Sequence, residues 1–376
     1  MSLDRYYTLG RSGLRVSRFA LGTMTFGTEW GWGADEKNSR AIFDRYLEAG
    51  GNFFDTADVY TGGNSERMLG KFIAEAGVRD RVVLTTKFTF SDSFTGGKPD
   101  ANTGGNQRKN LLRAVDASLK RLGTDYIDLH LMHTWDQLTP VEEVMRSYDT
   151  LVRSGKVRYV GFSDVPAWYA ARAQTLAQLR GWEPLAALQL EYSLVERNIE
   201  REHTTLAQQL GMGIMVWSPL ASGLLSGKYQ PSRDGGSGEG RLIAMKDTTN
   251  PGFQKFSKRN WAIVAALESV SRKLGRSMAQ IALNWAANRP GIAALIVGAT
   301  KLSQLEDNLQ ALDFELPHEL RDELDRASVP PRQFPYFFFE PEMQGMVHGG
   351  PVVGDKPPHY FQPVLISGSG AGVGER

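Results

Sequence analysis

The chain has 376 residues, with 43 basic and 42 acidic side chains and a formal net charge of +1. No basic block interleaved with aromatics points to nucleic acid, and no acidic tail points to a basic partner. Cysteine is absent, which excludes disulfides and cysteine-ligated metal or redox sites; no apolar leader follows Met1-Ser2-Leu3-Asp4-Arg5 and no run is apolar enough to span a bilayer, so a soluble, cytoplasmic protein without membrane or nucleic-acid partners is expected.

Residues 5–17 carry Tyr6-Tyr7, the turn Leu9-Gly10-Arg11-Ser12-Gly13-Leu14 and Val16, a pattern that predicts a β-hairpin able to plug the bottom of a barrel. Strand-like runs then recur at residues 19–21, 52–56, 82–87, 126–133, 156–162, 185–190, 213–217 and 293–297. Amphipathic helical patterns lie between them, for example over 106–122 and 141–154; the first carries Leu111, Leu112, Val115, Leu119 and Leu122 at helical spacing. Eight alternating βα units close most economically into an α/β fold of the (β/α)8 or TIM-barrel type, with the site on the loops that follow the strands. A doubly wound open sheet is the main competitor, but no G-x-G-x-x-G occurs. The barrel is expected over residues 1–328, with a long Gly/Ser-rich connection at 219–256 after strand seven. Residues 329–376 form a Pro-, Gly- and aromatic-rich extension that includes Phe334-Pro335-Tyr336-Phe337-Phe338-Phe339. Its rings call for burial, so it is expected to pack on the barrel.

Polar residues cluster just past the strand runs. Asp55 and Tyr60 follow strand two, Lys87 ends strand three and His133 ends strand four. Adjacent strand ends in a barrel share one rim, so the four can converge. Together they form a proton-donating device. A free tyrosine titrates near ~10; an adjacent ammonium favours its phenolate, and a histidine can orient the acceptor or assist the proton. His130 lies three residues before His133, and odd spacing puts the two on opposite faces of a strand, His130 toward the helices. No carboxylate or third histidine is spaced to complete a metal site. Residues 222–229 fail as a P-loop, with Ser222 for the first Gly and Tyr229 where Ser or Thr must hold magnesium. Neither H-E-x-x-H nor G-x-S-x-G is present.

The order Asp55, Tyr60, Lys87, His133 in these settings resembles the aldo-keto reductases, over about residues 6–328. The motifs after strands seven and eight also look like those of the potassium-channel β-subunit branch. The resemblance implies NADP(H) as the cofactor. Gly22, Thr23 and Met24 would lie at its ribose side, Asp55 would also contact it, and Ser163, Asp164 and Gln189 would lie at the nicotinamide carboxamide, with Asp164 where Asn is commonest. Trp217 would stack on the ring, and Ser218, Pro219, Leu220, Ser222, Gly223 and Lys228 would hold the pyrophosphate. Gly298, Thr300, Gln304, Asp307 and Asn308 would take the adenosine end, with Lys301 beside them. The implied activity is hydride transfer to a small aldehyde or ketone, with Tyr60 as general acid. Trp135, Trp217, Phe88 and Trp30 or Trp32 would form the pocket walls. The rival from another class is a nucleotide-binding regulatory subunit with little turnover.

Overall fold

The computed structural model describes residues 3–233 and 235–349. Its centre is a closed barrel of eight parallel strands, labelled here β1 (Phe19–Gly22), β2 (Phe53–Asp55), β3 (Val83–Phe88), β4 (Ile127–Met132), β5 (Val157–Ser163), β6 (Leu185–Glu191), β7 (Gly213–Trp217) and β8 (Ile292–Val297). Each pairs with the next, and β8 returns to β1 through Leu295 opposite Phe19. The surrounding helices complete the (β/α)8 architecture.

The strands are apolar on both faces because both are covered. Inward, Ala20, Phe53, Val83, Leu129, Leu131, Ala187, Met215, Ala294 and Ile296 form a small inner core. Outward, Phe19, Leu21, Phe54, Leu84, Met132, Phe162, Leu188 and Val216 join the larger cluster shared with the helices. The helix Arg108–Leu122 buries Leu111, Val115 and Leu122, and Gly123 ends it in the left-handed region at φ 62°. The helix begins two residues later than its apolar spacing suggests. Asn106 is drawn instead into the loop, where its amide bonds the Thr134 carbonyl at 2.9 Å and its side-chain oxygen accepts from Thr89 at 2.7 Å.

The N-terminal hairpin is present, with Tyr6–Thr8 antiparallel to Arg15–Ser17. It carries Leu9 and Val16 into the inner core, both at 0% exposure. Gly10 makes this entry possible: at φ +58° a Cβ there would stand 2.5 Å from the Gly211 carbonyl oxygen, just below β7.

The connection after β7 is folded rather than amorphous. A 3-10 turn at Ala221–Ser226 leads to a two-residue antiparallel pair, Tyr229–Gln230 with Ser237–Gly238, and then to a short helix, Arg241–Ala244. Tyr229 and Leu242 are buried beneath it, and the Leu242 N–H donates to the Tyr229 hydroxyl at 3.1 Å. Lys255 ties its far end to the rim through an ion pair with Glu191 at 2.7 Å.

Contacts divide the chain into two units, Met1–Val329 and Pro330–Arg376. In the second, a 3-10 turn Tyr336–Phe339 precedes the helix Pro341–Val347, and Phe337 stacks on Phe338 with centroids 4.3 Å apart. The burial expected of the tail aromatics is incomplete, with Phe334 and Phe339 left 74% and 65% exposed. The remainder of the extension, residues 350–376, lies outside the described residues. No helix among the described residues is long and apolar enough to cross a membrane.

Candidate active site at the upper rim of the barrel

Asp55 closes β2 opposite Thr85 of β3, so Lys87 stands two residues higher on the neighbouring strand. Its stem fills the barrel top and the side chain is wholly buried. The ammonium donates to Asp55 Oδ2 and to the Thr56 carbonyl, each at 2.7 Å, and lies 3.4 Å from the Tyr60 hydroxyl. Gln189 donates to the other oxygen, Asp55 Oδ1, at 2.7 Å. Every acceptor of the carboxylate is thereby used, as burial of a charge requires.

Tyr60 is held by an unusual turn. Thr61, Gly62 and Gly63 all have positive φ, at 49°, 65° and 83°. A left-handed threonine is uncommon, and such backbone costs about 1–3 kcal/mol unless its surroundings enforce it. Here they do. The Thr61 hydroxyl donates to the Phe26 carbonyl at 3.0 Å and accepts from the Ser65 N–H at 3.0 Å, while the Asp58 N–H is fixed to the Lys87 carbonyl at 3.1 Å. The His133 ring meets the Tyr60 ring edge-on at 5.9 Å, and Trp30 meets it at 6.3 Å.

Burial is the largest influence on Lys87, Tyr60 and His133. It opposes the Lys87 charge, but Asp55 and Tyr60 outweigh it and the ammonium is held above its ordinary value. It raises the Tyr60 phenol, with Lys87 pulling the other way. It depresses His133 well below the usual imidazole range, and Lys87 adds to that effect, so the ring is neutral. The rim thus presents one buried cation, a protonated phenol and a neutral imidazole to one point.

His130 faces away from this point. Its ring stacks on Phe88 at 5.5 Å, and its Nδ1 lies 3.3 Å from the Tyr148 hydroxyl on the helix Val141–Arg153. Burial lowers its imidazole to about 3, so it too is neutral. His133→Asn should therefore lower kcat at least about 100-fold, the small end of general acid–base effects. His130→Asn should leave kcat within a few-fold and lower the melting temperature instead. A His130 variant as inactive as the His133 variant would contradict this placement.

Phe88 is not a pocket wall, contrary to expectation. Strand alternation turns it outward because its neighbour Lys87 points in. Phe90 takes its place, meeting the His133 ring at 4.9 Å. A cavity of about 540 Å3 lies farther along the rim, lined by Thr134, Trp135, Gln137, Asp164, Leu190 and Trp217 among others; Thr134 follows His133 in the chain, but none of the four residues is part of the lining.

The remaining predicted positions fall mostly along the same rim. Ser163 ends β5, and its hydroxyl is buried with no hydrogen-bond partner. Asp164 turns off the strand at φ 45° and accepts from the Trp217 indole N–H at 3.0 Å. Beyond Trp217, Ser218, Ala221, Ser222 and Gly223 all have positive φ, at 54°, 49°, 54° and 90°, with Pro219 and Leu220 between them. The Ala221, Ser222 and Gly223 N–H groups close the loop on itself, donating to the Ser218 carbonyl at 2.8 Å, the Ser218 hydroxyl at 3.0 Å and the Leu220 carbonyl at 2.9 Å. Lys228 sits over Tyr229 and feels Arg241 and Lys301 as neighbouring charges, its ammonium lowered first by burial and then by these cations.

Gly22 and Met24 flank the end of β1, and a Cβ on Gly22 would press Ile296 at 2.7 Å. Thr23 is fully buried, and its hydroxyl is spent on Ser65 and the Asp55 carbonyl, so it offers nothing to a ligand. Past β8, Gly298 is exposed, and Gln304 folds back so that its Oε1 accepts from the Thr300 and Lys301 N–H groups at 2.9 and 3.3 Å. Asn308 is buried on the same helix, Leu302–Leu309. Asp307 turns away, its two oxygens taken by Ser277 and Gln280 at the start of the helix Met278–Ala287.

Arg241 lies in the connection after β7 and belongs to none of the motifs read from the sequence. In the fold its guanidinium lies over the Trp32 ring at 4.2 Å, within the field of Tyr60 and without a carboxylate partner among the described residues.

The model of the aldo/keto reductase family matches residues 18–328. The chain belongs to that family. Among its relatives is the uncharacterised oxidoreductase YrpG of Bacillus subtilis, 38% identical over 325 residues, covering 84% of this chain and 93% of the relative. Norsolorinic acid reductase of Aspergillus flavus is 35% identical, over 89% of this chain and 83% of its own. A probable voltage-gated potassium channel subunit beta of Oryza sativa is 36% identical, over 82% of this chain and 91% of its own. Family and relatives together support an oxidoreductase that acts on small carbonyl compounds.

Proposed function

We propose that this aldo/keto reductase reduces an aldehyde or ketone to the alcohol with NADPH, and that Tyr60 is the general acid. The observation that carries the reading is the buried chain from Asp55 through Lys87 to the Tyr60 hydroxyl, with the neutral His133 ring edge-on to the Tyr60 ring. NADPH, when bound, supplies the hydride. Tyr60 gives its proton to the carbonyl oxygen as that oxygen gains charge. The phenolate left behind is stabilised by the Lys87 ammonium and regains a proton from solvent. His133, being neutral, donates a hydrogen bond that fixes the carbonyl oxygen, and Asp55 keeps Lys87 charged and in place.

The residues fit the cofactor. The unpartnered Ser163 hydroxyl suits the carboxamide and Trp217 offers a half-buried ring face, while the Ala221, Ser222 and Gly223 N–H groups would have to leave their acceptors within the loop to hold the pyrophosphate. Lys228, Arg241 and Lys301 supply positive charge with no carboxylate beside them among the described residues. Gln304 would have to release the Thr300 and Lys301 N–H groups to an adenosine phosphate.

NADPH should therefore bind at least about tenfold more tightly than NADH, or ~1.4 kcal/mol, because hydrogen bonds to a charged group contribute about 1.5–3 kcal/mol. Equal dissociation constants in a fluorescence titration would refute the preference. The test of the whole reading is steady NADPH oxidation with a panel of small aldehydes and ketones. The channel-subunit relatives supply a second reading, a nucleotide-binding regulatory subunit, and tight NADPH binding with no turnover on any carbonyl would favour it.

A further inference from the structure

We propose that Asp164 makes this site hold the oxidised, cationic nicotinamide in preference to the reduced, neutral one. The inference rests on the cofactor reading above. NADP+ and NADPH share every phosphate and sugar and differ only at the nicotinamide ring, where a fixed negative charge favours the pyridinium.

The ring end of the rim offers one such charge. Asp164 follows directly on Ser163, and its left-handed backbone brings the carboxylate across to Trp217, whose indole N–H donates to Oδ1 at 3.0 Å. Oδ2 accepts no hydrogen bond, and no cation lies within ion-pair distance, among the described residues. The carboxylate opens into the cleft that Trp135 and Trp217 line. Lys87 is the nearby cation, but Asp55 already neutralises it at 2.7 Å. Glu191, also on the cleft, is matched in the same way by Lys255. Glu196, the third carboxylate of the cleft, has no ion pair among the described residues either, but its Oε1 accepts from the Asn198 N–H at 3.1 Å. Asp164 is the one bound to the Trp217 indole, and a pyridinium there would supply its counter-charge.

Stabilising the bound oxidised form draws the on-enzyme equilibrium toward the alcohol and slows release of NADP+. A tenfold shift in relative affinity corresponds to about 30 mV in the potential of the bound two-electron couple.

The experiment compares wild type with Asp164→Asn by titrating NADP+, NADPH and 2′-phospho-ADP-ribose, which lacks the nicotinamide. Asparagine tolerates positive φ and keeps an acceptor for Trp217, so the loop should survive the change. Titrations run at about pH 8.5, above the value of about 7 to which the surrounding protein lifts this carboxyl, so that the wild-type group is ionised. The NADP+ preference, measured as Kd for NADPH over Kd for NADP+, should fall about tenfold in the variant, while 2′-phospho-ADP-ribose binds both proteins alike. If all three ligands bind and the ratio stays within twofold, the Asp164 inference fails and the cofactor reading stands. If none of the three binds wild type, both fall.

Discussion

Tyr60→Phe is expected to fold normally, to bind NADPH as wild type does, and to lose about 100- to 10,000-fold in kcat, the usual span of general acid catalysis. The hydroxyl removed makes one hydrogen bond, a 3.4 Å contact with Lys87, while the ring keeps its edge contacts with His133 and Trp30. Stability should therefore change little. Because burial holds the phenol above its ordinary value, the proton needed for reduction is retained throughout neutral pH. Tyr60 itself should accordingly impose no change on the reductive rate through neutrality and should lower it only in strongly alkaline solution, where the phenol ionises. A Phe variant with near wild-type kcat on an aldehyde would remove Tyr60 from the acid role.

Lys87→Met should lose both activity and stability. Lys87 and Asp55 are 0% and 4% exposed at the side chain. Removing one member of a buried ion pair strands the other, at a cost of about 3–5 kcal/mol. The Asp55→Asn/Lys87→Met double variant should recover most of that loss, since no charge is left unpaired, yet remain as inactive as the single variant. Urea unfolding midpoints and steady-state rates on the three proteins separate the two effects. A single variant as stable as wild type would show that the pair does not hold the barrel top together.

The barrel strands were legible because burial on both faces writes each as a short continuous apolar run. Asp55, Lys87 and His133 were conspicuous as polar residues closing such runs. The periodicity that separated His130 from His133 applies equally to Lys87 and Phe88, and it places Phe88 outside the pocket. Arg241 had no such signal. It lies in an aperiodic segment, and the Trp32 ring it covers comes from the far end of the chain. Asp307 illustrates the reverse: its helical position was legible, but the capping demand of Ser277 and Gln280, which turns it aside, belongs to a different helix. Thr23 likewise sits at the expected strand end, yet its hydroxyl serves the barrel's own hydrogen bonding.

The packed interior, closed below by Leu9 and Val16 of the hairpin, makes the barrel a cup rather than a tube. A cup has one opening, and whatever enters last must leave first. With the nicotinamide seated against Ser163 and Trp217, as proposed, a carbonyl compound arriving earlier would stand in its path. Traffic through the single mouth then imposes an order on the turnover cycle, in which nucleotide precedes substrate and the alcohol departs before the spent nucleotide. On the proposed function, that order is set by the closed floor of the barrel, far from the chemistry.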